Sequence, residues 1–195
     1  MPLIRETLIT TTGADGRPHV APMGVTVERD GDGERFILAP FRPSHTLDNL
    51  LARRCAVVNH TDDVRVFAGC ISGRRRDWPT VPAERIDAPR LADSLSHEEI
   101  QVAEVEDDPV RPRFHCRIVH AATHAAFRGH NRAQAAVIEA AILVSRLHML
   151  PADKIDREVE YLSIAIGKTA GPPELEAWGW LMDRIAAHRE GGKTS

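Results

Sequence analysis

Residues 39–60 read APFRPSHTLDNLLARRCAVVNH, which places Arg42, Ser44, His45 and Thr46 almost side by side. The apolar run before them ends at Phe41, and Leu47, Leu50 and Leu51 follow at helical spacing. The polar cluster therefore falls where a strand gives way to a short helix. A helix start leaves backbone N–H groups without intrahelical acceptors and carries partial positive charge, so it attracts anions. Ser44 or Thr46 can cap that end, and either hydroxyl can donate to a phosphate oxygen. Arg42 adds a planar fork suited to a bidentate phosphate contact. His45 adds a donor whose charge responds to pH near neutrality. These residue types in this order suit a monophosphate group. They also suit a plain helix cap beside a solvated arginine.

A second concentration of reactive side chains is HCRIVHAATHAAFRGH, residues 115–130, with His115, Cys116, His120, His124 and His130. On a strand His120 and His124 share a face, an arrangement that can suit a metal. No carboxylate or second pair stands at a recognised spacing, so the tract reads as surface or pocket-lining histidines and no metal is expected. Asn131 and Arg132 open a long helical segment. There they reach a ligand or an adjoining subunit, or Asn131 is a cap and Arg132 is solvated. No Ser-His-Asp order, P-loop or G-x-G-x-x-G fingerprint occurs, and nucleoside triphosphate chemistry is not expected.

Composition narrows the classes further. A chain of 195 residues with net charge −3 and a sequence pI near 6.4 is a poor fit to a binder driven by neutralising nucleic-acid phosphates. The one basic run, GRRRD at 73–77, reads as a solvated loop. No apolar stretch reaches membrane-spanning length and MPLIRETLITTTG lacks a signal-peptide core, so a cytoplasmic protein is expected. Cys55, Cys70 and Cys116 are odd in number and widely spaced, which fits thiols in a reducing compartment rather than a disulfide framework.

The elements that must position these residues follow from periodicity and turn signals. LIRETLITTTG, HVAPMGVTVER, RFILAPF, CAVVNHT and VRVFAGCIS read as strands, with Pro22 and Gly24 marking either a bulge or a close backbone approach in the second. IQVAEVE and PRFHCRIVHAATHAAF supply later strands that close a barrel. Prolines at 79, 82, 89, 109 and 112 argue against long helices in that stretch. The final third reads as three helices. The first runs from Asn131 until Pro151 ends it. The second carries Ile155, Val159, Leu162 and Ile166 on one stripe with Gly167 as its cap. The third aligns Leu175, Trp178, Met182 and Ile185.

With these pieces in place, DGRPHVAPMGV read beside FRPSHT resembles the FMN-binding split-barrel proteins, the superfamily of pyridoxamine-phosphate-oxidase-like and flavin-reductase-like folds. NLLARRCAVVNHTDDVRVFA at 49–68 and FRGHNRAQAAVIEAAILVSRL at 127–147 are similar to a branch of it catalogued as a family of unknown function. The resemblance implies an α+β, mainly β protein: a split antiparallel β-barrel over 1–128, a helical subdomain over 129–190 and a disordered tail at 191–195. It implies FMN held by Met23 and Gly24 at the ring edge and by Arg42, Ser44 and Thr46 at the phosphate, with His45 a further donor within that loop. Asn59 either reaches the ring or ribityl chain or caps the turn after it, and Asn131 and Arg132 complete the set of binding candidates. No catalytic residue is implied. The expected activity is NAD(P)H-dependent flavin oxidoreduction on a small acceptor by a homodimer, with no nucleic-acid or membrane partner. A non-catalytic FMN carrier and an auxiliary role in pterin-linked one-carbon metabolism stay open, as does an F420-type deazaflavin in place of FMN.

Overall fold

The computed structural model describes residues 2–31 and 33–191. Among the described residues, eight strands and five helices occur in the order β1 (Leu3–Thr12), β2 (Pro18–Asp30), β3 (Gly33–Leu38), α1 (His45–Arg53), β4 (Cys55–His60), α2 (Arg65–Ser72), β5 (Thr80–Pro82), β6 (Pro89–Leu91), β7 (Ser96–Glu106), β8 (Arg113–Thr123), α3 (Arg132–Ser145), α4 (Ala152–Thr169) and α5 (Pro172–Gly191). They form two compact units, Met1–Thr61 with Trp78–Phe127, and Asp62–Asp77 with Arg128–Ser195.

The first unit is a closed antiparallel barrel in the order β1-β2-β3-β8-β7-β4. Alternation along each strand sends Ile9, Val25, Phe36, Val58, Ile100 and Phe114 into one core, and Leu47 and Leu50 of α1 enter the same core. Residues of opposite parity, Thr10, Val57 and Asn59, lie on the outer face of β1 and β4. That face is also buried, because the two-stranded β5–β6 sheet packs over it. Thr10 donates its hydroxyl hydrogen to the Pro89 carbonyl at 2.5 Å, and the Leu91 N–H donates to Asn59 Oδ1 at 2.8 Å.

The second unit is helical. Alanines 133, 136, 140 and 141 give α3 a buried face with little bulk. It packs with Val64 and Ala68 of the α2 segment, Leu162 and Ile166 of α4, and Leu181 and Ile185 of α5.

Several sequence expectations are corrected. VRVFAGCIS is α2, not a strand: a short apolar run has no period of its own. The Asp63 carboxylate accepts the Arg65 N–H at 3.1 Å and Gly73, at φ 76°, ends the helix. Of the two alternatives at Pro22 and Gly24, the bulge is absent, and β2 pairs with β1 without a shift from Thr12↔Pro18 to Leu3↔Val27. Proline fits there because β2 meets β3 only from Thr26 onward, leaving the other edge beside Pro22 without a strand. Gly167 lies inside α4, which continues to Thr169. The first long helix stops at Ser145, and Pro151 is instead the N-cap of α4. The buried stripe of α5 is Glu174, Ala177, Leu181 and Ile185, so Leu175 is 53% exposed. Gly191 is the last helical residue; the remainder of the expected tail, 192–195, lies outside the described residues.

Candidate functional site

The corner between β3 and α1 holds the contiguous candidates. Ser44 is extended (φ −161°, ψ 148°), and its Oγ accepts the Leu47 N–H at 3.3 Å, so it is the α1 N-cap. An accepting hydroxyl oxygen keeps its own hydrogen for a further acceptor. His45 is exposed, and its ring meets His19 of β2 edge-on with centroids 5.5 Å apart. Thr46 is buried at 3% exposure. Three residues along the same helix, Asn49 donates to Thr11 Oγ1 at 2.9 Å, and with Leu47 and Leu50 this roots the helix start in the barrel.

Arg42 is directed elsewhere. Its Nη2 donates to Asp107 Oδ1 at 2.6 Å and its Nε to the Asp108 carbonyl at 3.1 Å, while its backbone N–H meets the Val110 carbonyl at 2.9 Å. Arg111 reaches the opposite way. Its guanidinium donates twice to the Ala39 carbonyl, at 3.1 and 2.9 Å, and lies 4.3 Å from the centre of the Phe41 ring. The β7–β8 turn is itself organised by Asp108, whose carboxylate accepts the Arg111 and Val110 N–H groups at 2.6 and 2.8 Å. Those two amides, aided by the Arg42 charge, hold the Asp108 carboxyl below its usual range. Two arginines thus staple residues 39–42 to 107–111. Arg42 positions the corner in this structure and does not stand free for a phosphate.

Met23 and Gly24 are separated by strand alternation. Met23 packs against the barrel core, and its carbonyl accepts the Thr7 hydroxyl at 2.9 Å. Gly24 faces the outer side, where an added Cβ would stand 3.0 Å from Ile4 Cγ2 and 3.3 Å from Glu6 Oε1. The crowding by β1 side chains accounts for the glycine.

Asn59 is wholly buried, and its amide is spent within the protein. Nδ2 has the Leu8 carbonyl, Thr10 Oγ1 and the Val57 carbonyl at 3.0, 3.0 and 3.2 Å, and Oδ1 accepts from Leu91. It neither caps the following turn nor presents its amide to a ligand; it locks the β5–β6 sheet onto β1 and β4. Asn131 is the N-cap of α3, accepting the Ala133 N–H at 2.8 Å and donating to the Thr169 carbonyl at 3.1 Å, and Arg132 is exposed. Both belong to the helical unit.

The sequence reading missed His97 and Glu99 of β7. SHEEIQ looks like a solvated charged stretch, yet both side chains are at 0% exposure. Glu99 Oε1 and Oε2 accept the backbone N–H groups of Glu84 and Arg85 at 2.6 and 2.7 Å, which ties down the turn between β5 and β6. Burial pushes the Glu99 carboxyl up, but these amides and His97 outweigh it and hold the group below its usual range. The available signal was alternation: His97 and Glu99 share the parity opposite to the core residue Ile100. Burial pushes the Cys116 thiol up to about 12, which leaves it unreactive.

Known proteins place this architecture. The chain belongs to the family described as protein of unknown function DUF447, matching its N-terminal domain over residues 5–125 and its C-terminal part over 131–183. An FMN-bound protein of that family from Methanosarcina mazei has the same fold, at 19% identity and TM-score 0.77 over 94% of this chain and 96% of its own. The chain is also similar to a 2-nitrobenzoate 2-nitroreductase of Pseudomonas fluorescens, at 22% identity and TM-score 0.54 over 64% of this chain and 66% of that one. A flavoredoxin of Methanosarcina acetivorans matches at 18% identity and TM-score 0.53 over 64% and 69%. No curated protein matches.

Proposed function

We propose that this DUF447 protein is an FMN-binding flavoprotein that carries the cofactor phosphate at the start of α1 and works as an NAD(P)H-dependent oxidoreductase on a small acceptor. The observation that carries the reading is the anchored, Ser44-capped helix start with His45 exposed beside it. The donor set fits a phosphate: the Ser44 hydroxyl hydrogen, the His45 ring and the first N–H groups of α1. The FMN-bound relative that spans nearly the whole chain supports it.

When bound, FMN supplies two-electron chemistry between a nicotinamide and an acceptor. The chain's own residues bind and orient. Ser44 and His45 hold the phosphate, and Thr46 and Asn49 keep the helix start fixed against the barrel. Arg42 and Arg111 hold the approach to it. A second copy of the chain is part of the proposal, in keeping with the split-barrel resemblance. Leu3 and Ile4 of β1, 52% and 54% exposed, are apolar groups such a copy would cover.

The test is a visible absorption spectrum of the protein as purified and again after FMN addition and desalting. Flavin bands that survive desalting, with steady NADPH or NADH oxidation on adding an acceptor, are the expected result. Retained flavin without oxidation of either nucleotide would leave a carrier. A colourless protein that retains no FMN overturns the reading. Sedimentation velocity checks the dimer.

A further inference from the structure

Glu99 stands directly across the β7–β8 ladder from His120, while Ile100 faces Ile118. The register shift between these two pairs leaves Val119 as an extra residue on β8. Without it, His120 would share the inward parity of Phe114, Cys116 and Ile118. With it, His120 turns to the outer face beside Glu99 and His97. One ligand atom from each of the three residues lies within 4.8 Å of the others. His97 and Glu99 are fully buried, and His120 Nε2 is buried with no hydrogen-bond partner. Glu84 Oε2 lies 3.4 Å from that nitrogen without the geometry of a hydrogen bond.

We propose that His97 Nε2, the Glu99 carboxylate and His120 Nε2 form a binding site for a divalent transition-metal ion of the zinc class, separate from the flavin corner. Two imidazoles and one carboxylate are a donor set that such ions prefer over magnesium or calcium. The surroundings are those of oriented ligands. His97 Nδ1 lies 2.8 Å from His124 Nε2, and the two rings are nearly coplanar, their centroids 5.0 Å apart with an interplanar angle of 6°. Donating Nδ1–H to His124 fixes the His97 tautomer and turns the Nε2 lone pair toward Glu99 and His120. The Glu99 oxygens are oriented by the Glu84 and Arg85 amides, and each keeps a lone pair. Glu84 beside His120 supplies a further acceptor for a metal-bound water. The opposite tautomers make a closed chain without an ion, from His124 to His97 to Glu99 Oε1 at 3.3 Å. That chain leaves His120 Nε2 buried and unsatisfied, whereas the ion satisfies all three groups.

The full chain, carrying no histidine tag and stripped with a chelator, is titrated with Co2+ and read by its visible d–d absorption. Zn2+ displacement and metal analysis after dialysis give the stoichiometry. One ion per chain is expected, with His120→Gln and Glu99→Gln each weakening binding at least about 100-fold and His124→Phe about 10- to 100-fold. His148→Gln, at an exposed histidine of the helical unit, is expected to bind as the wild type does. Binding to wild type no tighter than to His120→Gln overturns the site, as does an absence of Co2+ absorption. His120→Gln changes a half-buried side chain and tests the site even if Glu99→Gln fails to fold. Flavin content is read separately, so loss of either site does not imply loss of the other.

Discussion

The β3–α1 corner and the patch beneath β5–β6 are both polar parts of the barrel unit, built in opposite ways. The corner comes from consecutive residues, is largely exposed, and directs donors outward from a helix start. The patch draws on β4, β7, β8 and the β5–β6 turn, and Asn59, His97 and Glu99 in it are at 0–1% exposure. Exposed polar groups have water as an alternative partner, so they can wait for a ligand at little cost. Buried ones must be satisfied inside the protein, and removing one partner strands the others. The corner should therefore respond to mutation mainly in binding, and the patch mainly in stability.

The largest effect is expected at Asn59. Asn59→Ala strands the Leu91 N–H and the Leu8 carbonyl and should lower unfolding free energy by about 3 kcal/mol in urea. FMN affinity of the folded protein should stay within about threefold. A loss of FMN affinity with unchanged stability would break the comparison and return Asn59 to the cofactor.

Ser44 supplies the converse. Ser44→Ala should cost about 1 kcal/mol as a lost cap. Ser44→Asp keeps a good cap but sets a negative charge against the phosphate. Stability near wild type with FMN binding weakened tenfold or more is expected from denaturation and flavin titration. Wild-type FMN affinity in Ser44→Asp would remove the phosphate from this helix end.

How far each region was legible in the sequence follows from the same contrast. Arg42 to Thr46 could be read because strand end, cap and helix are contiguous; α1 falls where periodicity puts it, and of the two caps the sequence offers, Ser44 and Thr46, Ser44 is the one used. The barrel strands β1 to β4, β7 and β8 and the three C-terminal helices were likewise legible from their periods. The patch was not, because Glu99 and His120 are brought opposite each other by ladder register and by the bulge at Val119, which the sequence does not mark. The sequence offers Arg42 as a phosphate ligand or a solvated side chain because its partners, Asp107 and Asp108, are remote in the chain. α2 failed for a third reason: its apolar run suits a strand or a buried helix equally, and Asp63 and Gly73 decided it.

Arg42 offers a smaller test. If it positions the corner through Asp107, then Arg42→Ala and Asp107→Ala should weaken FMN binding alike and modestly, by about two- to fivefold, as befits an ion pair in which Asp107 is 85% exposed. A direct phosphate contact predicts otherwise. Arg42→Ala would then cost tenfold or more, and Asp107→Ala, by releasing the guanidinium, would leave affinity equal or improved. Isothermal titration on the two variants separates the cases.

The smallest effect lies in the turn that holds this staple. Asp108 is held below its usual value of 3.8 by the Arg111 and Val110 amides and the Arg42 charge. A depressed carboxyl contributes stability that is fully present above the unfolded value and is lost as pH falls through the lower folded one. Protection of the Val110 and Arg111 amides against hydrogen exchange should therefore hold at neutral pH and drop in an acid step below 3.8. Asp108→Asn keeps an accepting oxygen without the charge, so its protection should start lower and show no acid step. An acid step that persists in Asp108→Asn would assign it to another carboxylate, with Asp107 the nearest. The corner would then depend on the ion pair to Arg42 rather than on the turn's own hydrogen bonds, and the Asp107→Ala variant would lose the step.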